Sequence, residues 1–211
     1  MLARPTLLTF LAMMAMPVFA QDVTEPVNCT GAFGADSSEA VLIETFGQEN
    51  VVTGQVPGPE GMTYLATTVY GDDPARRMEF AWFNEETMSQ LSAVELAPGQ
   101  AGPGGLRIGM SVAEVEAINR EPFTVGGFWW DYGGYASFET GALAGPLPGN
   151  CFVSLRFSPA EETPAGIDLD AIAGEVIIPS DAEVLQLADT KVTNMSLGYA
   201  LDEPLEQNAA D

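Results

Sequence analysis

Cys29 and Cys151 are the only cysteines in the 211-residue chain, and a bond between them would constrain the fold more than any other feature. It would close a loop of about 120 residues and stabilise the fold by about 4–5 kcal/mol in the chain-entropy model. It would also tie the N-terminal segment to the second half of the chain. Whether such a pair is bridged depends on the compartment, and the first twenty residues bear on that. Arg4 supplies a positive start, residues 6–16 (TLLTFLAMMAM) an apolar stretch, and Val18-Phe19-Ala20 a small-x-small cleavage site before Gln21. This is the layout of a secretory signal peptide. A membrane span needs about 20 apolar residues, and Pro17 interrupts this run. No later stretch reaches that length without glycine, proline or charge. A lipoprotein signal would place a cysteine directly after the cleavage site, and Cys29 lies further on. Residues 1–20 are therefore expected to be removed. The mature chain is expected in the periplasm or outside the cell, with Cys29 and Cys151 disulfide-bonded.

Cleavage takes away Arg4 and no acid, leaving six bases against 30 acids, a formal charge of −24. Nucleic-acid affinity comes largely from Lys and Arg neutralising phosphates, so a nucleic-acid partner is excluded, and anionic membrane surfaces repel the chain likewise. The charge reads as a solubility adaptation to salty surroundings, where screening weakens self-repulsion. An apolar content of 46% is that of a globular protein. There is no histidine, which removes the commonest general base and the commonest metal ligand together. No cofactor is expected.

Residues 98–105 (PGQAGPGG) punctuate the chain, because proline and glycine continue neither helix nor strand. They separate a first unit, 21–97, from a second, 106–200, with an acidic tail over 201–211. In the second unit Ser111-Val-Ala-Glu114 is a capping box, and Met110 and Val115 sit at the staple positions. A helix is predicted over about 112–120, ended by Pro122. In the first unit Asp36-Ser-Ser-Glu39 predicts a cap, Leu42, Ile43 and Phe46 an apolar stripe, and Gly47 a stop. Strands are predicted at 63–70 and 77–83, joined by a turn at 71–76, and at 91–96. In the second unit they are predicted at 123–132, 136–139, 151–157 and 191–199. Cys151, Val153, Leu155 and Phe157 share one face, as do Thr193, Met195, Leu197 and Tyr199. Residues 158–180 read as a loop-rich insertion. The predicted class is α+β: two tandem helix-then-antiparallel-strand units forming one or two sheets, with the helices packed on one face.

The stretch Gly105-Leu-Arg-Ile-Gly-Met-Ser-Val-Ala-Glu-Val115 resembles the G-x-x-x-G-M-[ST]-x-x-E-V motif of small exported bacterial modules. These include the SmpA-type outer-membrane assembly lipoproteins and the β-lactamase-inhibitory-protein-like fold. The latter is similar in a second respect, as a tandem repeat of a helical segment followed by antiparallel strands. The resemblance covers about 15 residues at a loop-to-helix entry, and it implies a fold and a binding role in the cell envelope rather than an activity. The first unit lacks the Gly-Met lead-in. Residues 128–134 (FWWDYGG) with the Asp-Asp-Pro-Ala-Arg-Arg turn also resemble exported bacterial proteins, which implies no activity.

The aromatic run Gly127-Phe-Trp-Trp-Asp-Tyr-Gly-Gly-Tyr135 is the candidate site. In a strand, Phe128, Trp130 and Tyr132 would point one way and Trp129 the other. Trp and Tyr dominate binding hot spots, so Trp129, Trp130, Tyr132 and Tyr135 are the expected binding residues. The alternative is that both faces of the run are covered. Asp72 and Asp73 beside Arg76 and Arg77 read as turn chemistry before a recognition tip. Asp168 and Asp170, with Glu161, Glu162 and Glu175, lack the spacing of a calcium loop and read as a solvated acidic loop. Without histidine, Ser-His-Asp and Cys-His catalysis are excluded. A paired-carboxylate hydrolase of envelope polysaccharide stays open, although 30 acids single out no pair. The expected role is a non-enzymatic periplasmic protein that binds another envelope protein or a cell-envelope component, the aromatic rings being equally suited to stack on a sugar.

Overall fold

A computed structural model describes residues 26–58 and 61–201. Residues 1–20, expected to be a signal peptide, and the acidic tail beyond Leu201 lie outside the described residues. Among the described residues three short α-helices accompany nine strands: α1 (Glu39–Phe46), β1 (Val51–Pro57), β2 (Thr63–Val69), β3 (Met78–Asn84), β4 (Ser89–Glu95), α2 (Val112–Asn119), β5 (Thr124–Gly126), β6 (Ala136–Ser137), β7 (Cys151–Ser158), β8 (Ile177–Pro179), α3 (Glu183–Leu187) and β9 (Lys191–Tyr199). The class is α+β, but sheet dominates it.

The strands form a six-stranded antiparallel sheet, β1-β2-β3-β4-β9-β7, and a three-stranded one, β6-β5-β8. The first four strands are a meander. β9 then returns from the end of the chain and inserts between β4 and β7, with Val94 opposite Leu197. This corrects the expectation of two tandem helix–strand units, since strands from both halves share one ladder. The Pro/Gly segment is packed into the same body: Ala101 and Leu106 are fully buried, and Val27 donates its amide to the Ala101 carbonyl at 2.7 Å.

Local chemistry accounts for the helix ends. Ser111 and Glu114 form the predicted box, with the Ser111 amide donating to the Glu114 carboxylate at 2.8 Å and the Glu114 amide to Ser111 Oγ at 3.3 Å. α2 ends at Arg120, whose φ of 66° is left-handed. α1 starts two residues later than its sequence suggests, capped by Ser38 rather than Asp36. The cause is tertiary. The amides of Gln90 and Leu91 donate to the carbonyls of Ser37 and Ala35, and the Ser37 amide donates to Gly34, which holds 35–37 as a turn against β4 instead of a first helical turn.

One core runs through both halves. Phe80 is fully buried and packs against Phe33, Phe46 and Trp82 at ring separations of 5.7, 6.5 and 6.3 Å. The Trp82 indole donates to Thr67 Oγ1 at 3.0 Å. Cys29 and Cys151 are bonded, with Cα atoms 6.0 Å apart. Cys151 opens β7 opposite Tyr199 of β9, and the Tyr199 hydroxyl donates to the Phe33 carbonyl. The bridge and this hydrogen bond fasten the N-terminal segment to the last two strands.

Two further differences from the sequence reading have physical causes. The ladder between β7 and β9 skips Thr193, so Phe157 faces Val192. This bulge reverses the alternation: Val192 enters the core and Thr193 is exposed. Residues 158–180 supply β8, with Ile172 and Ile178 buried.

Candidate binding site on the aromatic loop

The predicted strand over 123–132 breaks after Gly126, and the aromatic run is a loop. Neighbouring backbone explains why. Gly127 donates to the Val176 carbonyl at 2.7 Å, Phe128 donates to Ile172 at 2.8 Å, and Gly174 donates to Phe128 at 2.9 Å. A side chain at Gly127 would place its Cβ 2.3 Å from the Gly174 carbonyl oxygen, so only glycine allows this approach. Phe128 is buried and anchors the loop.

Beyond that anchor the chain turns outward. Trp129 has φ of 62° and is 61% exposed. Trp130 is half-buried, and its indole donates back to the Gly127 carbonyl at 2.9 Å. A turn closes from Trp130 to Gly133, whose amide donates to the Trp130 carbonyl at 3.0 Å. Tyr132 is 62% exposed and meets the Trp130 ring edge-to-face at 5.7 Å. Tyr135 is 44% exposed. The strand picture is corrected here: Phe128 and Tyr132 do not share a side. Trp129, Tyr132 and Tyr135 all reach solvent, while Trp130 is a buttress.

Arg156, which the sequence reading missed, braces the loop. It projects from β7, donates from Nε to the Gly133 carbonyl at 2.8 Å and from Nη2 to the Asp131 carbonyl at 3.2 Å, and stands 5.2 Å from the Tyr135 ring centroid. Phe157 donates its amide to the Gly134 carbonyl at 2.7 Å. The loop therefore runs along the edge strand of the large sheet. Tyr135 and Arg156 also border a groove of about 260 Å³ that includes Glu95, Ser154, Asn194 and Ser196. The signal for Arg156 was its charge at an outward position of an alternating strand.

The other candidates resolve as structure. Asp73 accepts from the Ala75 amide at 3.0 Å and so sets the β2–β3 turn. Arg76 lies 3.6 Å over the Tyr70 ring, and Arg77 pairs with Glu79. No group of three or more acidic or cysteine side chains suited to a metal ion occurs among the described residues. Glu79 and Glu95 stand directly opposite on β3 and β4, a repulsive placement relieved by Arg77 on one and by Asn194, which donates to Glu95 at 2.9 Å, on the other. Tyr64 has its hydroxyl pKa raised, chiefly by burial and then by these two carboxylates.

No helix among the described residues is long and apolar enough to cross a membrane. Comparison with protein-family models, curated proteins and solved structures finds no match to this chain.

Proposed function

We propose that this is a non-enzymatic, extracytoplasmic binding protein that engages another envelope protein through Trp129, Tyr132 and Tyr135. One observation carries the reading: a tryptophan held in a left-handed conformation with most of its ring in solvent, on a loop braced from three sides. A left-handed backbone costs a residue with a side chain about 1–2 kcal/mol. The ring recovers part of that through its edge-to-face contact with Phe128, 6.0 Å between centroids, and leaves the larger part of its surface in solvent. Rigid aromatic side chains are what contact surfaces use, because little freedom is left to lose on binding. With 30 acids on the chain, a basic partner face would associate faster without necessarily binding more tightly.

The test is crosslinked capture from the native envelope with wild type, Trp129→Ala and an exposed control, Ile177→Ala. The proposal expects a partner kept by wild type and the control and lost by Trp129→Ala, with the fold intact. Identical partner sets for all three would refute it.

A second reading, a carboxylate-dependent hydrolase of envelope polysaccharide, draws on the Glu79–Glu95 register. Glu95 lines the groove beside Tyr135, and Glu79 does not. Polysaccharide turnover abolished by both Glu79→Gln and Glu95→Gln would favour this reading over binding.

A further inference from the structure

A cleft with largely apolar walls lies between α2 and the loop over 140–148. It measures about 480 Å³, and Ala117, Ile118, Ala142, Leu143 and Leu147 are among its lining residues, with Arg120 beside them. We infer that this cleft binds a small amphipathic monoanion: a carboxylate or similar head group on a short aliphatic chain. Arg120 would hold the head, and Ile118, Leu143 and Leu147 the chain.

Three observations converge on this class. The cleft has the size of ligand sites, about 300–1,000 Å³, and their chemistry of apolar walls with few polar groups. Its walls are also built. Asn119 is fully buried, donates from its amide nitrogen to the carbonyls of Glu121 and Thr140 at 2.7 and 3.0 Å, and accepts from the Leu143 amide at 2.9 Å. Its backbone carbonyl accepts from Ala142 at 2.8 Å. That residue locks one wall to the end of α2, while the bonded Cys29 lines another.

The third observation is Arg120 itself. Acids outnumber bases 30 to 7 in the chain, yet this guanidinium makes no ion pair or ring contact among the described residues. Arg77 and Lys191 have carboxylate partners, Arg76 and Arg156 have rings, and Arg107 is exposed and bare like Arg120 but does not line the cleft. The Arg120 backbone is left-handed at φ 66°, a conformation that glycine or asparagine adopts with less strain. Its place in the lining, exposed and without a carboxylate partner among the described residues, makes Arg120 the anion position of this cleft. At about 0.15 M salt the Debye length is about 8 Å, so distant carboxylates are screened while a contact with Arg120 is not.

Decanoate, decanol and decyltrimethylammonium, each below its micelle-forming concentration, distinguish head from tail when titrated into the oxidised full-length protein. Amide shifts by NMR report the location, and calorimetry the affinity. Decanoate should bind with shifts centred on Ala117, Arg120, Ala142 and Leu147, leaving 129–135 unmoved. Arg120→Gln should weaken decanoate about tenfold or more and leave decanol unchanged. Ala117→Trp, at an exposed helix position, should fill the cleft and abolish binding while the fold and bridge persist. Equal affinity for decanoate and decyltrimethylammonium, indifference to Arg120→Gln, or no saturable binding at millimolar ligand would each overturn the inference.

Discussion

Arg156→Ala should loosen the aromatic loop without unfolding the protein. The side chain supplies two hydrogen bonds to backbone carbonyls, at 2.8 and 3.2 Å, and a ring contact at 5.2 Å. A hydrogen bond to a charged group contributes about 1.5–3 kcal/mol when well sheltered. Arg156 is half-buried and the second bond is long, so about 1–1.5 kcal/mol for the pair is the discounted value. The ring contact adds about 0.5 kcal/mol. The expected loss is about 2 kcal/mol, concentrated in the loop because the β7–β9 ladder does not depend on this side chain. Urea denaturation measures the global part. Amide hydrogen exchange measures the local part, with Gly133 and Gly134 expected to exchange at least tenfold faster and Leu155 to change little. Arg156→Lys should behave like the alanine variant, since an ammonium cannot fork to both carbonyls. Unchanged exchange at Gly133 and Gly134 in Arg156→Ala would refute the bracing argument.

Reducing the Cys29–Cys151 bond, which spans 122 residues, should lower stability by about 5 kcal/mol, read as a fall in urea midpoint on adding reductant; an unchanged midpoint would contradict the role of the bridge. Asn119→Ala removes three side-chain hydrogen bonds at a fully buried position and should cost about 3–4 kcal/mol, so a loss below about 1 kcal/mol would show that water replaces the amide. Tyr199 has its hydroxyl pKa pushed up to about 12, first by burial and then by Asp36. The folded protein thus keeps a proton that the unfolded chain releases near pH 10. Stability should be flat in this respect below pH 10 and fall between pH 10 and about 12, and urea midpoints for wild type and Tyr199→Phe across that window would test the sign.

Much was legible in the residues alone, and for a common reason: those features depend on neighbours within a few positions. The capping box at Ser111, the Gly47 stop, the turn at 71–76 and the span of β9 each follow from local hydrogen-bond and dihedral chemistry. β1 escaped notice because Gly54, Gln55 and Pro57 blur its pattern; as the edge of the sheet it has only β2 to satisfy. The α3 helix is five residues long and has no side-chain cap, too short for a period to emerge.

The aromatic run shows where local reading ends. Its composition drew attention to Trp129, Trp130, Tyr132 and Tyr135, but a period of two cannot tell a strand from a loop that borrows carbonyls from 172–176 and is clamped by Arg156. Likewise a serine three residues before a glutamate names α2, while nothing in its letters says that Asn119 will lock a wall 21 residues away or that Arg120 will line a cleft. Sequence by itself determined the class, the capping box of α2 and the pairing of the only two cysteines. Tertiary structure alone decided the shared sheet and both candidate surfaces, because these arise where backbone groups distant along the chain must satisfy one another once water is excluded.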